Sequence, residues 1–150
     1  MSTGWITFGT AGRQWALPLT SVVEVVRCRT LEPLPGAEPP LAGTLTLRGR
    51  PLAVLDARSD DDGAQRLRGD GSRGDVLVLA AVDGSLHGVA VDRVNGVLGA
   101  DALEPAQDGA GLGDAVVEVR HGPSGAVLVA DAARLATAVR RRRPLAAPVV

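Results

Sequence analysis

Four carboxylates lie inside apolar stretches of this chain: Glu24, Asp56, Asp92 and Glu118. Two of them brought together could act as a general acid and a general base. Such groups more commonly pair with arginine or cap a turn, and that is the role expected of these four. His87 and His121 share no motif, whereas a zinc site needs three or four ligands at characteristic spacings. Each histidine therefore reads as a surface or half-buried residue. None of the six serines stands in a G-x-S-x-G pattern or at a strand-to-helix elbow, so no hydrolase nucleophile is visible. Residues Gly69–Gly74 match G-x-G-x-x-G, but a polar loop precedes them and an apolar run follows. The dinucleotide fingerprint needs a strand before and a helix after, so that the helix N-terminus meets the pyrophosphate. Asp60-Asp61-Asp62-Gly63 invites a calcium reading, yet Arg58 and Gly69 stand where the loop would need oxygen ligands. Arg-Gly-Asp occurs at 68–70 and 73–75, as chance permits in a loop rich in glycine and arginine. Arg140–Arg143 is the one charge run. It could touch phosphate; a solvated helix terminus is the simpler account.

Composition narrows the classes further. The chain has 150 residues and a net charge of −1, with 17 acidic against 16 basic residues. That length suits one domain, or two small ones sharing a core. Leu, Ile, Val and Phe together number 41, too many for a disordered chain. The near-zero charge argues against a protein built mainly to bind nucleic acid. All basic residues are Arg, and the only aromatics are Trp5, Phe8 and Trp15, too few for base-stacking platforms and better placed in a core. Cys28 is the sole cysteine, which excludes an internal disulfide and argues against a cysteine-based zinc site. The longest apolar run, Val76–Val82, is far short of a membrane span. The opening MSTGWITF has neither a basic start nor an apolar signal core, so a cytoplasmic location is expected. No cofactor and no metal are expected.

The elements that must position these residues are short strands with turn punctuation. There are 20 valines, and β-branched side chains fit a pleated, half-buried surface. Strands are expected at Thr3–Phe8, Gln14–Leu19 and Val22–Arg27, the last with Val23 and Val25 on one face and Val22, Glu24 and Val26 on the other. Leu31–Pro40 holds four prolines and must be an extended or turning connection. Thr44–Leu47 and Pro51–Asp56 follow, and then Ser59–Gly74, polar and glycine-rich, is expected to be a mobile surface loop. Asp75–Val82 and Leu86–Val91 flank Asp83-Gly84-Ser85, a hairpin signal. Val94–Leu98 continues through a bulge at Asn95-Gly96. Gly99–Asp114 reads as loop, and Ala115–Arg120 and Ala126–Ala130 as a second hairpin. One helix is expected after Asp131 as N-cap, with Ala132, Leu135, Ala136 and Val139 on its apolar face and Pro144 beyond its end. Residues Leu145–Val150 are expected to fray. Short strands and one late helix imply a mainly-β barrel or sandwich.

The order of segments resembles the CheW-like family, the coupling proteins of bacterial chemotaxis. The stretches that carry the likeness are Phe8-Gly-Thr-Ala-Gly-Arg-Gln-Trp-Ala-Leu-Pro-Leu19, Val22-Val-Glu-Val-Val-Arg27, Leu34-Pro-Gly36 leading to Leu41-Ala-Gly43, Leu47-Arg-Gly49 followed by Pro51-Leu-Ala-Val-Leu-Asp56, and Gly88-Val-Ala-Val-Asp-Arg-Val94. Ala126–Leu135 fits the family's ending. The chain departs from the pattern at Ala53, where a proline is usual; Pro51 lies two residues earlier. The likeness spans about residues 3–138 as one CheW-like domain, with 139–150 as an arginine-rich tail. It implies a mainly-β fold of two small SH3-like five-stranded barrels that share an apolar core, with a short C-terminal helix. It implies a non-enzymatic, cytoplasmic adaptor that bridges the tip of a methyl-accepting chemoreceptor and the CheW-like regulatory domain of the chemotaxis histidine kinase. It is not expected to bind nucleic acid or to insert in the membrane.

Carried over residue by residue, the resemblance makes Glu24 and Arg48 an ion pair at the receptor-facing surface, with Val22 and Gly43 nearby. It makes Val76, Leu77 and Gly88 part of the partner-binding surfaces, for receptor or kinase. Two other readings stay open on the residues alone. A small barrel could bind nucleic acid through its arginine tail, or a hydrolase could use Asp56 and Asp92 together in a pocket.

Overall fold

A computed structural model describes residues 4–10, 12–32, 41–58, 73–81, 83–141 and 145. The strands run in chain order as β1 (Trp5–Thr10), β2 (Arg13–Pro18), β3 (Val22–Thr30), β4 (Leu41–Leu47), β5 (Arg50–Asp56), β6 (Arg73–Ala80), β7 (Leu86–Val91), β8 (Arg93–Leu98), β9 (Glu104–Asp108), β10 (Val116–Gly122) and β11 (Gly125–Ala130), before helix α1 (Ala132–Arg140). They form two sheets, a six-stranded one in the order β8-β1-β2-β11-β10-β9 and a five-stranded one in the order β3-β6-β7-β5-β4. This is the mainly-β architecture of two small SH3-like subdomains with one short helix. The first sheet carries one strand more than expected. That strand, β9, falls in the presumed loop after Gly99: all five of its residues are exposed and Pro105 interrupts it, so it has no apolar alternation to read. The loop expected at Ser59–Gly74 lies outside the described residues up to 72, and Arg73 and Gly74 already belong to β6.

The period-two pattern sorts side chains into three apolar clusters. Leu77 and Leu79 of β6 point to a large cluster between the sheets, where they join Phe8, Trp15, Leu17, Val89 and Val91. Val76 and Val78 point the other way, into the interior of the second subdomain with Leu45, Leu52, Val54 and Ala90. Ala16, Leu103 and Val127 fill the first subdomain. Phe8 and Trp15, fully buried and paired across β1 and β2, stack with ring centroids 6.4 Å apart and planes 11° from parallel. Trp15 Nε1 donates to the Thr10 carbonyl at 3.2 Å, and Thr10 Oγ1 in turn donates to the carbonyl of Ala57, so the indole is tied across to the second sheet. Trp5 lies at the rim of the first subdomain, with the Arg120 guanidinium 4.9 Å above its ring.

Local signals act as expected in several places. Gly84 takes a φ of +85° in the β6–β7 turn, and Asp83 Oδ1 accepts from Ser85 N at 2.9 Å. Hydrogen bonds from the Ser85 hydroxyl and amide hold the Asp83 carboxyl below its usual pKa. Thr7 opposes Gly96 and Phe8 opposes Val94, which leaves Asn95 as the bulge residue. Asp131 caps α1 by accepting from Arg134 N at 3.0 Å, and Leu135, Ala136, Ala138 and Val139 are buried beneath it. The end of the chain differs from expectation at Leu145, which is buried in the inter-sheet cluster and accepts from Ala115 N at 3.4 Å. An apolar side chain after Pro144 can still reach the core.

Closing a five-stranded sheet on itself leaves a very narrow interior. A Cβ on Gly88 would come within 2.8 Å of Val76 Cγ1 and 3.1 Å of Val54 Cγ2. A Cβ on Gly43 would come within 2.4 Å of the Glu32 carbonyl oxygen. That close approach is where the sheet edges meet: Glu32 and Thr44 exchange two backbone hydrogen bonds of 2.9 Å. Overpacking of a filled interior typically costs about 1–3 kcal/mol. Gly88→Ala should therefore lower the unfolding free energy by about that amount in denaturant titration. The double variant Gly88→Ala with Val76→Ala should lose less than the sum of the two single changes, because one removes the methyl group the other strikes. Strict additivity would show that the contact does not limit the packing.

Candidate functional site

The expected ion pair forms. Arg48 Nη2 lies 3.6 Å from Glu24 Oε2, with the arginine side chain 75% and the glutamate side chain 33% exposed. Two local irregularities place it. On β3, Val22 opposes Leu79 and Glu24 opposes Val78, so two steps along β3 match one along β6 and Val23 is left over as a bulge. The bulge overturns the expected alternation: Val22 and Val25 pack on the inter-sheet cluster and Val26 on the subdomain interior, while Val23 is extruded and 49% exposed. On the other side, Leu47 opposes Arg50, so Arg48 and Gly49 are the two central residues of the β4–β5 hairpin. Their φ values are +51° and +79°, the arrangement of a type I′ turn.

Magnitudes show what this arrangement does. An exposed ion pair contributes about 0–1 kcal/mol. A non-glycine residue in the left-handed region costs on the order of 1–3 kcal/mol. Arg48 is the only non-glycine residue with positive φ among the described residues. Glu24 Oε2 is shielded from water yet makes no hydrogen bond among them, so Arg48 is its nearest compensation. The pair does not repay the backbone strain as a source of folding stability.

The strand register gathers three of the expected residues. Glu24 opposes Val78, Val78 opposes Gly88, Gly88 opposes Val54, and Val54 opposes Gly43, one row straight across the second sheet. Gly43 and Gly88 serve that row by close packing rather than by exposing a contact. Val22 is half-buried at the start of β3. Val76 and Leu77 are both 0% exposed, on opposite faces of β6. A partner cannot touch either side chain in this fold, because β6 is covered on both faces. The structure adds two residues that the sequence reading passed over. Leu86, 42% exposed, opposes Ala80, also exposed, one same-face step beyond the Val78–Gly88 pair. With Val23 it leaves exposed apolar surface beside the row that carries Glu24. Bulges and rim positions carry no periodic signal, so only coordinates reveal them.

The other chemistry-bearing residues are used structurally. Asp56 Oδ1 accepts from Arg58 N at 3.0 Å and from Arg58 Nε at 3.3 Å. Glu118 pairs with Arg120, which also donates to the Leu103 carbonyl at 3.0 Å. Asp75, buried, accepts from Val94 N at 2.7 Å and ties β6 to β8. Asp92 lines an open cleft of about 340 Å³ with Arg13, Gln14, Arg93 and Asn95, and Asp56 is not part of that cleft. No group of three or more metal-ligating residues occurs among the described residues. No helix among them is long and apolar enough to cross a membrane. Of the arginine run, Arg140 and Arg141 are exposed at the end of α1, and Arg142 and Arg143 lie outside the described residues.

The family model for the CheW-like domain matches residues 4–140, which takes in both sheets and α1. The chain belongs to the CheW-like family. The crystal structure of the scaffolding protein TtCheW from Thermoanaerobacter tengcongensis has the same fold, with a TM-score of 0.65 over 87% of this chain and 90% of that one at 18% identity. A search of curated proteins returns no match. The CheW-like match covers all seven residues expected at partner-binding surfaces and the helix that closes the inter-sheet core.

One titratable group sits at a joint of this CheW-like fold. His87 on β7 opposes Leu79 on β6, and its Nε2 is shielded from water without a hydrogen-bond partner among the described residues. Burial, and secondarily the positive charge of Arg140 on α1, hold its pKa below the ordinary value of 6.5. Below that value the unfolded chain binds more protons than the folded one, so this contribution to stability is complete above about pH 6.5 and is lost as pH falls. The thermal midpoint of the wild type should drop between about pH 7 and pH 5.5, and His87→Gln should drop less over the same window. Identical pH profiles for the two proteins would remove His87 as the cause.

Proposed function

We propose that this protein is a non-enzymatic adaptor of chemotaxis-type signalling that couples a methyl-accepting chemoreceptor to the chemotaxis histidine kinase, working in the cytoplasm and recruited to receptor arrays. The observation that carries the proposal is the Glu24–Arg48 pair, assembled from an edge strand and a hairpin tip at an open surface of a CheW-like fold. The family's members are scaffolds, and TtCheW, which shares this fold, is a scaffolding protein. The surface suits a protein partner better than a small molecule: a strained, exposed arginine, a half-exposed glutamate and the apolar Val23 and Leu86 stand on a rim rather than in an enclosed cavity. Signalling encounters of this kind often bury less than about 1,200 Å². In this reading the domain spans residues 3–138 and needs no cofactor. Glu24, Arg48, Val22 and Gly43 belong to the receptor side, and Val76, Leu77 and Gly88 support the partner-binding surfaces from within.

The test is titration of the purified chain with the kinase regulatory domain and with a receptor cytoplasmic fragment from the same cell. Micromolar binding to both is expected. Glu24→Ala and Arg48→Ala should each leave the fold intact and weaken receptor binding, because a charge left unpaired at a desolvated interface costs several kcal/mol. Val23→Ser should weaken the same interaction. Absence of binding to either partner up to millimolar concentration would refute the adaptor role.

A further inference from the structure

We infer that Arg48 is kept in a conformation that disfavours the fold because its guanidinium receives a carboxylate of the receptor, with Glu24 steadying it from one side. The inference rests on the adaptor reading and adds the chemistry of the contact. The hairpin geometry is the starting point. A two-residue I′ loop needs positive φ at both central positions, which glycine, asparagine and aspartate adopt most readily. Both residues take it up, Gly49 without strain and Arg48, at φ +51°, at a backbone cost that glycine, asparagine or aspartate would largely avoid. A hairpin shaped only by folding would carry Asn-Gly here.

Glu24 does not explain the choice of arginine. The contact is 3.6 Å, longer than a hydrogen bond, and involves one terminal nitrogen. Arginine carries five N–H donors in a planar fork that matches a carboxylate bidentately. Among the described residues Arg48 makes no hydrogen bond, and its side chain is 75% exposed, so that fork is open to an incoming partner. Glu24 supplies the countercharge that holds the guanidinium near β3. The exposed Val23, next to Glu24 on the bulge, puts aliphatic surface on the same edge. The matching partner surface is an acidic side chain flanked by an apolar one.

The experiment uses the full chain in two independent arms. In thermal unfolding, Arg48→Asn should raise the midpoint by about 2–4 °C, the shift expected when a strain of this size is relieved in a chain of this length. In titration against the receptor fragment, Arg48→Asn should lower affinity at least tenfold, and Arg48→Lys, which keeps the charge but not the fork, should also weaken binding. Each Asp and Glu at the receptor tip is then changed to Ala. One of these changes should reproduce the loss and add nothing further to it in combination with Arg48→Asn, the signature of a direct pair. A midpoint that falls or stays put overturns the strain argument whatever binds. Wild-type affinity in Arg48→Asn, or full additivity with every acidic position, overturns the carboxylate contact and leaves the adaptor role standing. Failure of the wild-type chain to bind the fragment sinks the adaptor role and the contact together.

Discussion

Burial of β6 on both of its faces is the constraint on which the two subdomains depend. Its residues alternate Val76 and Val78 into one interior with Leu77 and Leu79 into the inter-sheet cluster, and all four are fully buried. Each such side chain contributes about 1.5–3 kcal/mol of apolar burial. A slip of one residue would turn every one of them into the wrong cluster. The strand is therefore fixed in register from both sides, and the strands beside it inherit that register. Position 78 sets Glu24 on one neighbour and Gly88 on the other, and Gly88 sets Val54 and then Gly43. The surface pair is the outer consequence of an inner packing condition.

The same condition explains where irregularity is allowed. A strand buried on both faces cannot host a bulge without opening one core or the other, and the bulge at Val23 falls on β3, at the edge of its sheet. At the opposite edge, β4 and its hairpin turn meet the β3 segment at the Glu32–Thr44 bridge, just past the end of β3, and across the Glu24–Arg48 contact. Gly43 permits the first of these by lacking a Cβ. The I′ turn permits the second by swinging Arg48 toward β3. Backbone closes one end of the seam and side chains the other, and side chains are the part a partner can read.

Most of the fold was legible in the sequence because most of it follows from period-two burial, turn chemistry and one capped helix. The β6–β7 hairpin came from Asp83-Gly84-Ser85, the helix from Asp131 and its apolar face, and the bulge at Asn95 from an Asn-Gly inside a strand. What was not legible has specific physical causes. Strand β9 carries no apolar alternation, since every residue is exposed and Pro105 interrupts the run. Val23 looks like a core residue in a run of valines until the bulge is seen. Leu145 follows Pro144 and an arginine run, which hides its burial. Of the candidate site, the Glu24–Arg48 pair was legible through the family resemblance and not through spacing, because the two lie 24 positions apart in the chain. Val76 and Leu77 show the reverse limit: the resemblance marks them for partner binding, and an uninterrupted Val-Leu-Val-Leu run already reads as a strand with no free face.

The open strand edges narrow the kind of recognition this molecule can support. An exposed edge invites another strand to add to the sheet, and proteins blunt that risk with proline, charge and bulges. Strand β9 has Pro105 between Glu104 and the acidic Asp108, and β8 has its bulge at Asn95 with Arg93 before it. Strand β3 has the bulge at Val23 followed by Glu24 and, further on, the exposed Arg27. Each of these devices interrupts the ladder that strand addition would need, so backbone pairing is a poor route to a partner. Side chains at irregular positions remain: an extruded valine, a carboxylate and an arginine on a strained turn. Such a surface favours contacts specified residue by residue, where one changed side chain alters the affinity and leaves the sheets beneath it in place.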